Sequence, residues 1–198
     1  MSCVAVQIQA QGLRNRSQFG VKVGVNYANV YDSRGEKFNA EGRLGVAGGF
    51  FLTIPIGKFL GVQPEILFSQ KGFQATGSLL GINYDLKRTT SYIDIPLLLT
   101  VKPNEIVSIV AGPQISYLLR QKDVFNNGAV AVEQEKEFNK DNIRKNIFGL
   151  VVGIDVNITR ATIGLRGSWD FQNNNSDGSS YTPRYKNALL QATVGYKF

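Results

Sequence analysis

The feature that most restricts this chain is a two-residue hydrophobic period that returns eight times. In residues 161–171, Ala161, Ile163, Leu165, Trp169 and Phe171 fall on one side and Thr162, Gly164, Arg166, Ser168 and Asp170 on the other, with Gly167 the only gap in the apolar row. A helix repeats every 3.6 residues, so a period of two held over eleven residues specifies a strand with one apolar face. The same alternation marks residues 21–27, 44–54, 62–71, 93–101, 107–120, 148–157 and 190–198, giving eight strand candidates. Composition agrees, because 21 glycines against six prolines, with 11% aromatic residues, suit strands and tight turns better than helices.

The connections carry a second pattern. Short links at residues 56–59, 102–105 and 159–161 take turns with long polar ones near residues 31–42, 72–91, 121–145 and 172–186. With eight antiparallel strands, all short turns then lie at one rim and all long loops at the other. That asymmetry, short periplasmic turns and long extracellular loops, describes an all-β, eight-stranded antiparallel up-and-down transmembrane β-barrel.

Alternation alone does not say which row faces out. The polar row is mostly Gly, Ala, Ser, Asn and Gln with single charges between, which suits a crowded interior better than a wetted surface. In this orientation the acids Glu65, Asp94, Asp155 and Asp170 share the lumen with the bases Lys22, Lys71, Arg120, Arg166 and Lys197, and form a buried charge network with them. Phe19, Tyr27, Phe59, Tyr92, Tyr117, Trp169, Phe171, Tyr196 and Phe198 lie near strand ends, where interfacial girdles sit. The alternative is a soluble lipocalin-like carrier of an apolar ligand, which requires the opposite orientation.

Several function classes lose their tools. There is no histidine and one cysteine, Cys3, so histidine-dependent triads, disulfide frameworks and cysteine-rich zinc sites are excluded, and no metal or cofactor site is expected. The net charge of +7 is spread along the chain with basic pairs at most, which argues against nucleic acid as a partner. Glu65 and Asp94 are the one carboxylate pair with a catalytic geometry to consider, but in a narrow lumen ion pairing with Lys22, Lys71 or Arg166 is the stronger expectation, so the protein reads as non-enzymatic. The run 173–178 lacks the terminal Glu of an EF-hand loop and reads as surface loop, as does the mixed-charge stretch 133–145.

The closing strand Leu189-Leu190-Gln191-Ala192-Thr193-Val194-Gly195-Tyr196-Lys197-Phe198 ends on an aromatic and resembles the signal read by the outer-membrane barrel assembly machinery. Phe19-Gly20-Val21-Lys22-Val23-Gly24-Val25-Asn26, then Val62-Gln63-Pro64-Glu65-Ile66-Leu67-Phe68-Ser69-Gln70-Lys71-Gly72, then Tyr92-Ile93-Asp94-Ile95-Pro96-Leu97-Leu98-Leu99, then Ala111-Gly112-Pro113 resemble, in this order, the small porin-like, PorT-type barrels of Bacteroidetes. The resemblance spans residues 19–198. It implies an outer-membrane protein embedded in lipid, with the assembly machinery and extracellular or secretion-system proteins as partners, and for the PorT branch a part in type IX secretion. Residues 1–18, with the apolar run Val4-Ala5-Val6, read as the remainder of a signal peptide preceding the barrel domain.

Overall fold

A strand that turns its apolar row to lipid has no water to satisfy its edge, so every backbone ladder must close on a neighbour. In the computed structural model, the described residues are 16–31, 39–79, 82–126, 131–136, 144–174 and 185–198. They form β1 (Gln18–Tyr31), β2 (Asn39–Pro55), β3 (Leu60–Leu79), β4 (Ile82–Val101), β5 (Val107–Asn126), β6 (Ala131–Lys136), β7 (Asn146–Ile158), β8 (Ala161–Asp170) and β9 (Lys186–Lys197). All pairings are antiparallel, and β9 pairs both β8 and β1. The ladder β1-β2-β3-β4-β5-β7-β8-β9 therefore closes into an eight-stranded barrel. β6 lengthens a hairpin by pairing with Gln121 to Asn126 on the upper part of β5, a segment the sequence pattern assigns to loop. Residues 1–15 of the leader, Cys3 among them, lie outside the described residues, and β1 begins within the last residue assigned to it.

The orientation follows from exposure. Leu44, Val23, Val194, Leu165 and Ile163 are 76%, 68%, 57%, 56% and 51% exposed, while Arg166 and Gln191 are buried. The apolar row points outward on every barrel strand, the reverse of a soluble carrier. So large an unbroken apolar surface is stable only against lipid. Aromatics bound this band at both ends. At the short-turn rim Phe19 stacks on Phe50 and Phe198 at 5.8 and 5.9 Å, and Tyr196 meets Phe198 edge-on at 5.4 Å. At the other end Tyr27, Tyr117, Phe148, Trp169 and Phe171 face outward. Trp169 pairs with Ala188, ten residues before Phe198. At 3.3 Å per residue and a tilt of about 40°, that is roughly 25 Å along the barrel axis, the height of a lipid-facing band.

Two parts of the sequence pattern are corrected. Of residues 72–91, assigned to a long loop, 72–79 and 82–91 are paired strand: the β3–β4 ladder continues unbroken from Ser69↔Tyr92 to Leu79↔Ile82. Tyr92 belongs to no girdle, because it is buried in the lumen against Leu118 and Ile147. Tyr92 keeps the inward phase of Asp94 along β4, and the irregularity lies opposite it, in a bulge of β5 where Ser91 pairs with Arg120 but Tyr92 with Leu118. One extra residue reverses the facing of everything beyond it. Arg120 is thereby turned out of the lumen and is exposed.

Candidate functional site: a lumen filled by paired charges

The inward row of each strand supplies one side of the lumen with apolar plugs and the other with charge. Leu98, Val110 and Val151 pack together inside β4, β5 and β7. Across from them, Lys22 of β1, Glu65 of β3, Asp155 of β7 and Arg166 of β8 form one connected group. Lys22 Nζ donates to Glu65 Oε1 at 2.8 Å, and Arg166 Nη1 reaches Glu65 Oε2 at 2.7 Å. Arg166 Nη2 donates to Asp155 Oδ2 at 2.8 Å, so one guanidinium bridges two carboxylates from different strands. The planar fork of arginine allows this, where a lysine ammonium would supply a single point charge. Gln63 Nε2 donates to Glu65 Oε1 at 2.7 Å, while Gln63 Oε1 accepts from Thr53 Oγ1.

Small residues make room for these long side chains. Arg166 pairs with Gly153 and Asp155 with Gly164 across the β7–β8 ladder. A Cβ on Gly153 would stand 2.5 Å from Arg166 Cγ, and one on Gly164 would stand 2.6 Å from Asp155 Oδ1. The charged network and the glycines that flank it are one packing solution. Lys22 likewise sits between Gly49 of β2 and Gly195 of β9.

A second group lies higher. Lys71 Nζ donates to Asp94 Oδ1 at 3.2 Å and to Ser116 Oγ at 3.1 Å, with the Tyr92 ring 4.7 Å away. Asp170 accepts from Asn187 Nδ2 at 2.7 Å. Asn26, fully buried, ties β1 to its surroundings: it donates to Ser69 Oγ at 3.0 Å and Gln70 O at 2.9 Å, and accepts from Gln191 Nε2 at 2.9 Å. Its reach to β3 crosses the place where β2 carries an extra residue between Gly42 and Ala47.

The residues singled out by sequence thus separate into two clusters: Lys22, Glu65, Asp155 and Arg166 below, Lys71 and Asp94 above. Arg120 belongs to neither. Lys197, at the short-turn end, donates to Asn157 Oδ1. A third element was not foreseen. Arg88 makes a two-armed pair with Asp123, Nε to Oδ1 at 2.7 Å and Nη2 to Oδ2 at 2.8 Å, while its guanidinium lies 5.8 Å from the rings of both Phe73 and Tyr185. These groups close the upper lumen. The signal was present, since carrying the inward phase of Asp94 back along β4 gives Tyr92, Thr90 and Arg88. A strand that begins at residue 93 does not include it.

Glu65 and Asp94 are held in separate clusters, each carboxylate already engaged by a cation. Among the described residues, no three Cys, Asp or Glu side chains gather as a metal would need.

Comparison with known proteins places this geometry. Neisserial surface protein A shares the fold at a TM-score of 0.52 and 12% identity, covering 92% of this chain and 99% of that one. Ail, the attachment invasion locus protein of Yersinia pestis, in complex with the heparin analogue sucrose octasulfate, does so at a TM-score of 0.51 and 15% identity, with the same coverage. No curated protein matches the sequence. The family model for the outer membrane protein beta-barrel domain matches residues 9–176. A closed antiparallel barrel with its apolar row outside, a charge-filled lumen and that match together make the chain a member of the outer membrane protein beta-barrel domain family, seated in the outer membrane.

Proposed function

We propose that this barrel is a non-enzymatic anchor that presents extracellular hairpins to protein partners and passes no solute through its lumen. The observation that carries the reading is the bridging of Glu65 and Asp155 by Arg166, which leaves the lower lumen spanned by bonded side chains. The Arg88–Asp123 pair and the Phe73–Tyr185 contact fill the upper end in the same way. The interior of an eight-stranded barrel is filled by side chains or holds at most one small ligand, which leaves no open channel. With the lumen occupied, the parts left to act are the hairpins. The β3–β4 hairpin extends ten residues beyond Ser69, about 25 Å at the barrel tilt, past the outer aromatic ring.

The resemblance of 19–26, 62–72, 92–99 and 111–113 to PorT-type barrels makes a component of type IX protein secretion the partner class to test first. The closing strand, with Tyr196 and Phe198 facing outward, supports recognition by the barrel assembly machinery. Two measurements test the anchor reading. In planar bilayers the purified barrel gives no discrete conductance steps; long-lived open steps that change in the Glu65→Gln variant would show a working pore. Photo-crosslinkers in the β3–β4 hairpin capture the same protein from native membranes repeatedly, and shortening the hairpin abolishes capture while heat-modifiable gel migration is kept; capture that survives the shortening refutes the hairpin's role.

A further inference from the structure

Below the ion pairs, at the short-turn end, the lumen narrows to an enclosed polar cavity of about 10 Å3 to which all eight barrel strands contribute. That is roughly the room one water-sized particle requires. Its wall is unusual in charge. Of the lysines that line it, Lys22 is paired with Glu65 while Lys197 donates to the neutral Asn157 oxygen, and the one carboxylate on the wall, Asp155, has both oxygens engaged by Arg166. It is unusual in hydrogen bonding as well. The hydroxyls of Thr100 and Thr162, on residues 1% and 7% exposed, are buried on this wall with no partner among the described residues.

Other polar groups around the cavity are satisfied. Thr53 donates to Gln63, and Asn157 donates to Ser108 Oγ at 2.9 Å while accepting from Lys197. What the wall offers beyond these bonds is the positive charge of Lys197, bonded only to a neutral oxygen, and two hydroxyl donors. Buried donors and excess positive charge in a small enclosed space favour an occupant that accepts hydrogen bonds and is itself negative. Phosphate, sulfate and carboxylates are too large for this volume. We propose that the cavity is a binding site for one monatomic anion of chloride's charge and size, held by the Thr100 and Thr162 hydroxyls and the ammonium group of Lys197. A lysine side chain has four rotatable bonds, so a small shift of Lys197 supplies the extra radius that distinguishes chloride from water.

The test uses the full chain in detergent. Crystals grown in bromide give an anomalous peak in the cavity within contact distance of Thr100 Oγ1 and Thr162 Oγ1. In solution, raising chloride against gluconate at constant ionic strength lifts the midpoint of heat-modifiable gel migration by about 3 to 5 °C at ten times the dissociation constant. Thr100→Val with Thr162→Val removes this halide response while keeping shape and charge, and Lys197→Met weakens it. If the hydroxyls face only a void or a water, the double valine variant is as responsive as the unaltered chain. No anomalous peak, or a peak with the halide response unchanged in the valine variant, which marks an adventitious ion only, overturns the proposal.

Discussion

Glu65→Gln is the substitution that most sharply tests how the lumen is held together. Glu65 is 2% exposed and receives Lys22 Nζ at 2.8 Å, Gln63 Nε2 at 2.7 Å and Arg166 Nη1 at 2.7 Å. The amide keeps the shape but removes the charge and turns an NH2 group toward one of two cations. Arg166 retains Asp155; Lys22 loses its ion-pair partner. Removing one member of a buried pair costs about 3 to 5 kcal/mol, because the remaining charge stays buried without compensation. With Arg166 still paired, the expected loss lies near the lower bound, about 3 kcal/mol. The assay is equilibrium urea unfolding of the barrel folded into lipid vesicles, with tryptophan emission as readout. Adding Lys22→Met removes the stranded ammonium, so the double variant recovers at least about 1 kcal/mol relative to Glu65→Gln alone. If Glu65→Gln stays within about 0.5 kcal/mol of the unaltered chain, or the two substitutions simply add, the ion pairs do not organise the lumen.

Other perturbations follow from the same geometry. Asn26→Leu strips the bonds to Ser69, Gln70 and Gln191 and leaves the Gln70 carbonyl uncovered, a loss of about 2 to 3 kcal/mol in the same unfolding assay. Gly153→Ala places a methyl group 2.5 Å from Arg166 Cγ and 2.6 Å from Leu165 O, and lowers stability by about 1 to 3 kcal/mol. Thr159 turns from β7 into β8 with φ 54°, a region costly for a β-branched residue, so Thr159→Gly raises stability by about 1 kcal/mol; a loss would show that its side chain contributes to the turn.

How much was legible in the sequence depended on where lipid is. Inside the band the outward row must be apolar, so the period of two is strong: residues 161–171 and 190–198 give their facing directly. Beyond the outer aromatic ring the outward row no longer has to be apolar, so the hydrophobic alternation fades. That is why 72–91 reads as loop although it is paired to Leu79↔Ile82, and why Arg88 and Asp123 were overlooked. The remaining failure was one of phase. The strand 107–120 was extended on a strict alternation, but the bulge at Leu118 to Arg120 inserts a residue and turns Arg120 outward. No local signal in Tyr117-Leu118-Leu119-Arg120 separates a bulge from a regular strand, since three apolar neighbours satisfy either facing. The assignment of Glu65 to Lys22 and Arg166 on strands far apart in sequence was also beyond reach, because it depends on barrel stagger.

The central claim is that the apolar row lies in acyl chains. The chain has a single tryptophan, so a Trp169→Phe background carrying Leu165→Trp reports one outward position near mid-band. In vesicles, lipids brominated near the middle of the acyl chain quench this tryptophan strongly and aqueous acrylamide quenches it weakly, with emission blue-shifted. Strong quenching by acrylamide with no response to brominated lipid would contradict the account.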